Sequence, residues 1–171
     1  MNKNTNFNRK SNYDKHPSTS INGFLINGWD EILAEIQKLL NNNSIVAIDL
    51  YPGVIEEEIT TNINRLKADL VYNTRSDIFK SEQEVASMTE RYMTDDQLFG
   101  YMSPLKMIDF FDAKKLDAVK KEIANNKDAK IIVVGCGTSL VVPKSACIIY
   151  IDMARWEIIQ RFRRQEAMGL G

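Results

Sequence analysis

Ile45-Val46-Ala47-Ile48-Asp49-Leu50-Tyr51-Pro52-Gly53-Val54-Ile55-Glu56-Glu57-Glu58 carries the chain from one regularity to another. Its first six residues form a nearly continuous apolar run, the pattern of a strand covered on both faces. Pro52-Gly53 turns the chain. Ile55, Ile59, Ile63 and Leu66 then recur at helical spacing, so a helix follows the turn. The alternation extends both ways from here. Upstream, Trp29, Ile32, Leu33, Ile36, Leu39 and Leu40 make a helical stripe that Asn41-Asn42-Asn43 ends. Downstream, Asp69 to Tyr72 reads as a second strand. Ser81 with Glu84 forms a capping box ahead of Val85, Met88 and Tyr92 on one helical face. Ser103-Pro104 opens a helix over Leu105 to Phe111, and Leu116, Val119 and Ile123 mark another. Lys130 to Val134 and Ala146 to Ile151 read as strands. A last helix runs from Ala154 to Met168, with Gly169 as its cap. Strands separated by helices predict an α/β three-layer sandwich with a mainly parallel sheet.

Composition sets limits on function. The chain has 171 residues, 44% hydrophobic and 26% charged, with a formal net charge of −1. No global field therefore favours nucleic acid or an anionic membrane. No apolar run approaches the roughly 20 residues that span a bilayer. Residues 1–20, rich in Asn, Lys and Ser, read as a flexible leader without a signal-peptide core. Residues 21–168 read as one domain, and 169–171 as a linker towards a further one. Cys136 and Cys147 sit in apolar segments and read as reduced, buried thiols, which places the chain in the cytoplasm. His16 is the single histidine, so zinc has no ligand set. Neither a metal nor a cofactor is expected.

In an open α/β sheet, ligands bind beyond the carboxyl ends of the strands. Three such ends are readable here: Asp49–Val54, Asn73–Asp77 and Gly135–Ser139. At the first, Tyr51-Pro52-Gly53 stands where a G-x-x-x-x-G-K-[ST] phosphate loop would be. It is too short to wrap a phosphate, and Pro52 supplies no amide donor. Glu56, Glu57 and Glu58 satisfy the positive end of the following helix and would repel an anion. Gly23 to Gly28 is the chain's G-x4-G, but Trp29-Asp30 follows it and no strong strand precedes it. At the third end, Gly135, Gly137 and Thr138 permit close approach of a ligand, or form a plain strand-exit turn. Asp49, Asp77, Asp95 and Asp96 are candidates for a base or a Mg²⁺ site, or caps of turns. Arg155 and Arg161 could reach an anionic ligand from the last helix, or line the basic edge of a solvated one.

Several stretches together resemble a known family: Tyr13-Asp14-Lys15-His16-Pro17, Gly28-Trp29-Asp30, Asp49–Val54, Thr94–Gly100, Asp109–Asp112 and Asp152-Met153-Ala154-Arg155-Trp156-Glu157. The pattern is similar to the N-terminal domain of bacterial class I mannose-6-phosphate isomerase proteins, over roughly residues 13–171. There a P-loop-kinase-like region precedes a zinc-binding cupin isomerase. The resemblance implies a degenerate kinase-like fold, an accessory role in carbohydrate metabolism, and an isomerase site in a C-terminal cupin partner. It also implies that Arg155 and Arg161 take the place of the lid arginines that contact phosphates in such kinases.

The leading expectation is a non-catalytic ligand-binding or regulatory domain of sugar-phosphate metabolism. Its ligand would be a sugar phosphate or nucleotide, held by Asp49, Tyr51, Gly53 and the Gly135–Ser139 turn with Arg155 and Arg161. One alternative is an active phosphotransferase, with Asp49 or Asp77 as base and Asp95-Asp96 holding Mg²⁺. The other is a homo-oligomeric scaffold with the last helix and Trp156 as its interface. The sequence assigns no catalytic residue.

Overall fold

A computed structural model of the chain describes residues 17–20, 22–96, 100–167 and 170. Most of the leader, His16, residues 97–99 and Gly169 lie outside them.

Four strands, β1 (Ile45–Leu50), β2 (Leu70–Asn73), β3 (Ile131–Gly135) and β4 (Cys147–Ile151), form a parallel sheet in the order β2-β3-β1-β4. β1 therefore lies between β3 and β4, with Ile45 opposite Ile131 and Val46 opposite Cys147. Burial follows from this central position, and Val46, Ala47 and Ile48 are fully enclosed. The two-residue period divides the strand's side chains between two cores. Val46, Ile48 and Leu50 enter one core with Ile132 and Val134, while Ile131 and Val133 enter the other.

The order of the strands decides which helix covers which face. From β1 the chain passes β3 to reach β2, and from β2 it returns to β3. Right-handed crossovers in opposite directions place their helices on opposite faces. Accordingly α2 (Glu56–Ile63) packs Ile59 and Ile63 into the first core beside Ile36 and Leu40 of α1 (Trp29–Asn42). The helix α5 (Ala113–Asn125) packs Leu116, Val119 and Ile123 into the second. The molecule is the three-layer α/β sandwich that the alternation of runs predicts. Burying a side chain such as Leu40 contributes about 1.5–3 kcal/mol relative to leaving it in water.

Local chemistry fixes the remaining elements. Asn73 caps the single turn α3 (Thr74–Asp77) by accepting from the Arg75 amide at 2.8 Å. The capping box forms at α4 (Glu82–Thr89): Ser81 N donates to Glu84 at 2.9 Å, and Glu84 N donates back to the Ser81 hydroxyl at 3.3 Å. These bonds, led by the one from the Ser81 hydroxyl, hold the Glu84 carboxyl below its usual range.

Two helices are shorter than expected. Over Leu105–Phe111 only a 3₁₀ turn at Met107–Phe110 forms. The Asp109 carboxylate takes the Lys106 amide at 2.7 Å, and Phe111 is drawn into an antiparallel bridge with Phe79. The last helix, α6 (Arg155–Arg163), stops well before Met168. Gln165 takes a left-handed φ of 57°, its amide donates to Phe162 O at 3.1 Å, and Glu166 N donates to Arg161 O at 2.9 Å. That pair of bonds is a Schellman ending with glutamine in the position glycine usually fills. Both cysteines are free and half-buried.

Candidate functional site

A cleft of about 440 Å³ opens at the carboxyl ends of β1 and β2. Its floor is the turn Tyr51–Val54. Val54 N donates to Tyr51 O at 3.2 Å, Pro52 occupies the second position, and Gly53 has φ 100°. These are the marks of a type II turn, which needs a positive φ at its third residue. The turn thus closes on itself, with the Val54 amide spent on Tyr51 O.

Arg161 locks this turn from outside. Its Nη1 donates to Gly53 O at 3.2 Å and its Nε to Glu157 at 3.1 Å. The side chain expected to reach a ligand is here bonded to the cleft floor and to Glu157. Arg161, then Arg164, keeps the Glu157 carboxyl below its usual range. Arg155 is exposed in the first turn of α6, outside the cleft lining.

The β2 side of the cleft is an ionic brace. Glu56 Oε1 accepts from Asn73 Nδ2 at 2.9 Å, and its Oε2 accepts from Arg75 Nε at 2.9 Å. The start of α2 is thereby tied to the end of β2. Glu57, Glu166, Tyr51 and Thr60 also line the cleft. Glu56 is paired with Arg75, and Glu166 accepts from Arg164 Nε at 2.6 Å and Nη2 at 2.7 Å, so two of the three carboxylates already hold a guanidinium. Cys136 also lines the cleft, and burial first, then the charges of Glu56 and Asp49, push its thiol up to about 11. At neutral pH it is a protonated, weakly nucleophilic group.

Asp49, a candidate base, has a different task. Its Oδ1 accepts from Gly137 N at 3.0 Å and its Oδ2 from Ser139 N at 3.2 Å. The half-buried carboxylate finds its partners in backbone amides, satisfying the start of the 3₁₀ turn Thr138–Leu140. Gly137 is left-handed at φ 75°, and a side chain there would meet Met107 and Phe111. A Cβ at Gly135 would collide with the Thr74 hydroxyl. The glycines after β3 therefore admit the protein's own packing. The hydroxyls of Thr74 and Thr138 are fully buried and have no hydrogen-bond partner among the described residues.

The remaining candidates do not converge. Asp77 accepts from the Asn73 amide at 2.7 Å and the Ser76 hydroxyl at 2.8 Å, a local brace outside the main cleft. Asp95 and Asp96 lie exposed beyond α4. Among the described residues, no group of three or more His, Cys, Asp or Glu side chains could hold a metal ion. Of the expected site, Tyr51, Gly53 and, from the Gly135–Ser139 turn, Cys136 line the cleft. Glu56, Asn73, Arg75 and Glu166 also line it; the strand-end rule pointed to Asn73 and Arg75, but nothing local pointed to Glu166.

A family model described as "Domain of unknown function (DUF8485)" matches residues 28–171. The chain belongs to the DUF8485 family. The match begins at Gly28, the residue preceding α1, and takes in every helix and strand of this DUF8485 domain. No curated protein matches the chain, and neither does any solved structure. Among the described residues of the DUF8485 domain, no helix is long and apolar enough to cross a membrane.

Proposed function

We propose that the chain is a non-catalytic ligand-binding or regulatory domain that takes a hydroxyl-rich, sugar-like molecule in the cleft above Tyr51–Val54. The observation that carries the reading is the lining itself: Glu57 offers acceptors, the braced pairs Glu56–Arg75 and Glu166–Arg164 and the Asn73 amide add fixed polar groups, and Tyr51 offers a ring. Sugar hydroxyls match such a set, because each both donates and accepts. A sugar phosphate fits only with its phosphate towards Arg75. A triphosphate is opposed by the acidic lining and by the self-closed turn. Asp49 is held by two amides, which argues against its service as a base.

The likeness to the N-terminal region of mannose-6-phosphate isomerase proteins supports sugar-phosphate metabolism as the setting. On that reading, a cupin isomerase is the partner domain and the cytoplasm is the compartment.

Thermal-shift titration with mannose, fructose, their 6-phosphates, UTP and Mg-ATP tests the reading. A bound sugar at a hundred times its Kd stabilises the fold by about 2.7 kcal/mol. Tyr51→Ala and Glu57→Gln, both at exposed positions of the lining, are expected to abolish that shift. Turnover of Mg-ATP, or sugar binding that both variants leave intact, overturns it.

A further inference from the structure

The outer edge of β4 is a free strand whose sequence is complementary to itself. In a parallel ladder, alternate residues turn their N–H and C=O groups towards the same neighbour. Tyr51 N donates to Ile151 O at 2.9 Å, so Ile151, Ile149 and Cys147 turn towards β1. The backbone groups of Ile148 and Tyr150 consequently point away from the sheet, and among the described residues nothing bonds them. Their side chains lie together on the face opposite α1 and α2, with Ile148 52% and Tyr150 58% exposed. The five residues Cys147–Ile151 carry no charge and no proline, the usual protections of an edge.

We propose that two copies of this chain pair antiparallel along β4, joining their sheets into one of eight strands about a two-fold axis at Ile149. In that register Ile148 of each copy stands opposite Tyr150 of its partner. These are the residues with free N–H and C=O groups, so each such pair exchanges two hydrogen bonds. Each pair also sets an aromatic ring against a β-branched side chain, a favourable cross-strand match. Ile149 meets its own copy at the axis, and Cys147 meets Ile151. Charge selects the antiparallel arrangement as well: it brings the Lys144 end of one strand to the Asp152 end of the other. A parallel pairing would set like charges together.

Sedimentation equilibrium of the chain across micromolar to hundreds of micromolar concentration tests the pairing. A monomer–dimer equilibrium is expected, and Ile148→Lys with Tyr150→Lys removes the dimer while leaving the circular dichroism spectrum unchanged. Ile149→Cys in the full chain is expected to form a disulfide-linked dimer under mild oxidation, and the double lysine variant prevents it. A monomer at every concentration overturns the proposal, as does a dimer that survives both lysines. So does a failure of the Ile149→Cys variant to cross-link when it is dimeric and folded.

Discussion

Gly53 lies directly beneath Ile158. A Cβ placed on Gly53 would stand 3.1 Å from Cγ2 of that isoleucine, tighter than most side-chain contacts, at a φ of 100°. The turn below the cleft and the helix above it are therefore packed to the limit of a missing methyl group.

Gly53→Ala should consequently cost about 1–3 kcal/mol, from backbone strain and overpacking together. In an Ile158→Ala background the steric part disappears and only the strain remains. A double-mutant cycle by urea denaturation measures the difference. Additive effects of the two substitutions would show that the contact carries no energy.

Removing the Asp49 side chain leaves two amides of the Gly137–Ser139 turn without their acceptor. Asp49→Ala is expected to lose about 1–3 kcal/mol of stability. Asp49→Asn keeps one oxygen and loses less. An unchanged denaturation midpoint in Asp49→Ala would refute the capping role.

Gln165 holds a conformation that costs an ordinary residue about 1–2 kcal/mol and glycine almost nothing. Gln165→Gly should therefore stabilise the fold by about 1 kcal/mol, although it shortens an exposed side chain. Gln165→Val, branched at the wrong place for a left-handed backbone, should lower the melting temperature.

Alkaline pH supplies a further check. Burial raises the Cys136 thiol from 9.0 to about 11, so the folded state keeps a proton that the unfolded chain gives up. Stability is then full below pH about 9 and is lost as pH rises towards about 11. Tyr72 follows in a later window, from 10.0 to about 12, through its own burial and its bond to Glu122. Cys136→Ser should remove the earlier part of the decline and leave the later part. In a Cys147→Ser protein, alkylation of Cys136 should accelerate through about 11.

The layers were legible because they rest on local periodicity. Leu33 and Ile36 declare their face by helical spacing, the unbroken run Ile45–Leu50 declares a strand covered on both sides, and Ser81 with Glu84 declares a helix start. The site was less legible, because its geometry depends on partners far along the chain. Arg161 looks like an anion ligand beside Arg164 in sequence, yet Gly53 O, distant in sequence, claims it. Asp49 looks like a stranded charge until Gly137 and Ser139 are folded over it. The early stop of α6 had no composition signal, since Gln165 is a poor candidate for a left-handed cap.

The middle position of β1 also sets a timetable. Asp49 finds its two amides 88 and 90 residues later, and β4 completes the other flank later still. During synthesis, an apolar strand near the beginning must wait for almost the entire domain before either side is occupied. Closure of such long loops is slow relative to helix formation. A nascent chain arrested before Ile131 would hold β1 with α1 and α2 but with neither flanking strand, both its edges unpaired, a natural target for chaperones.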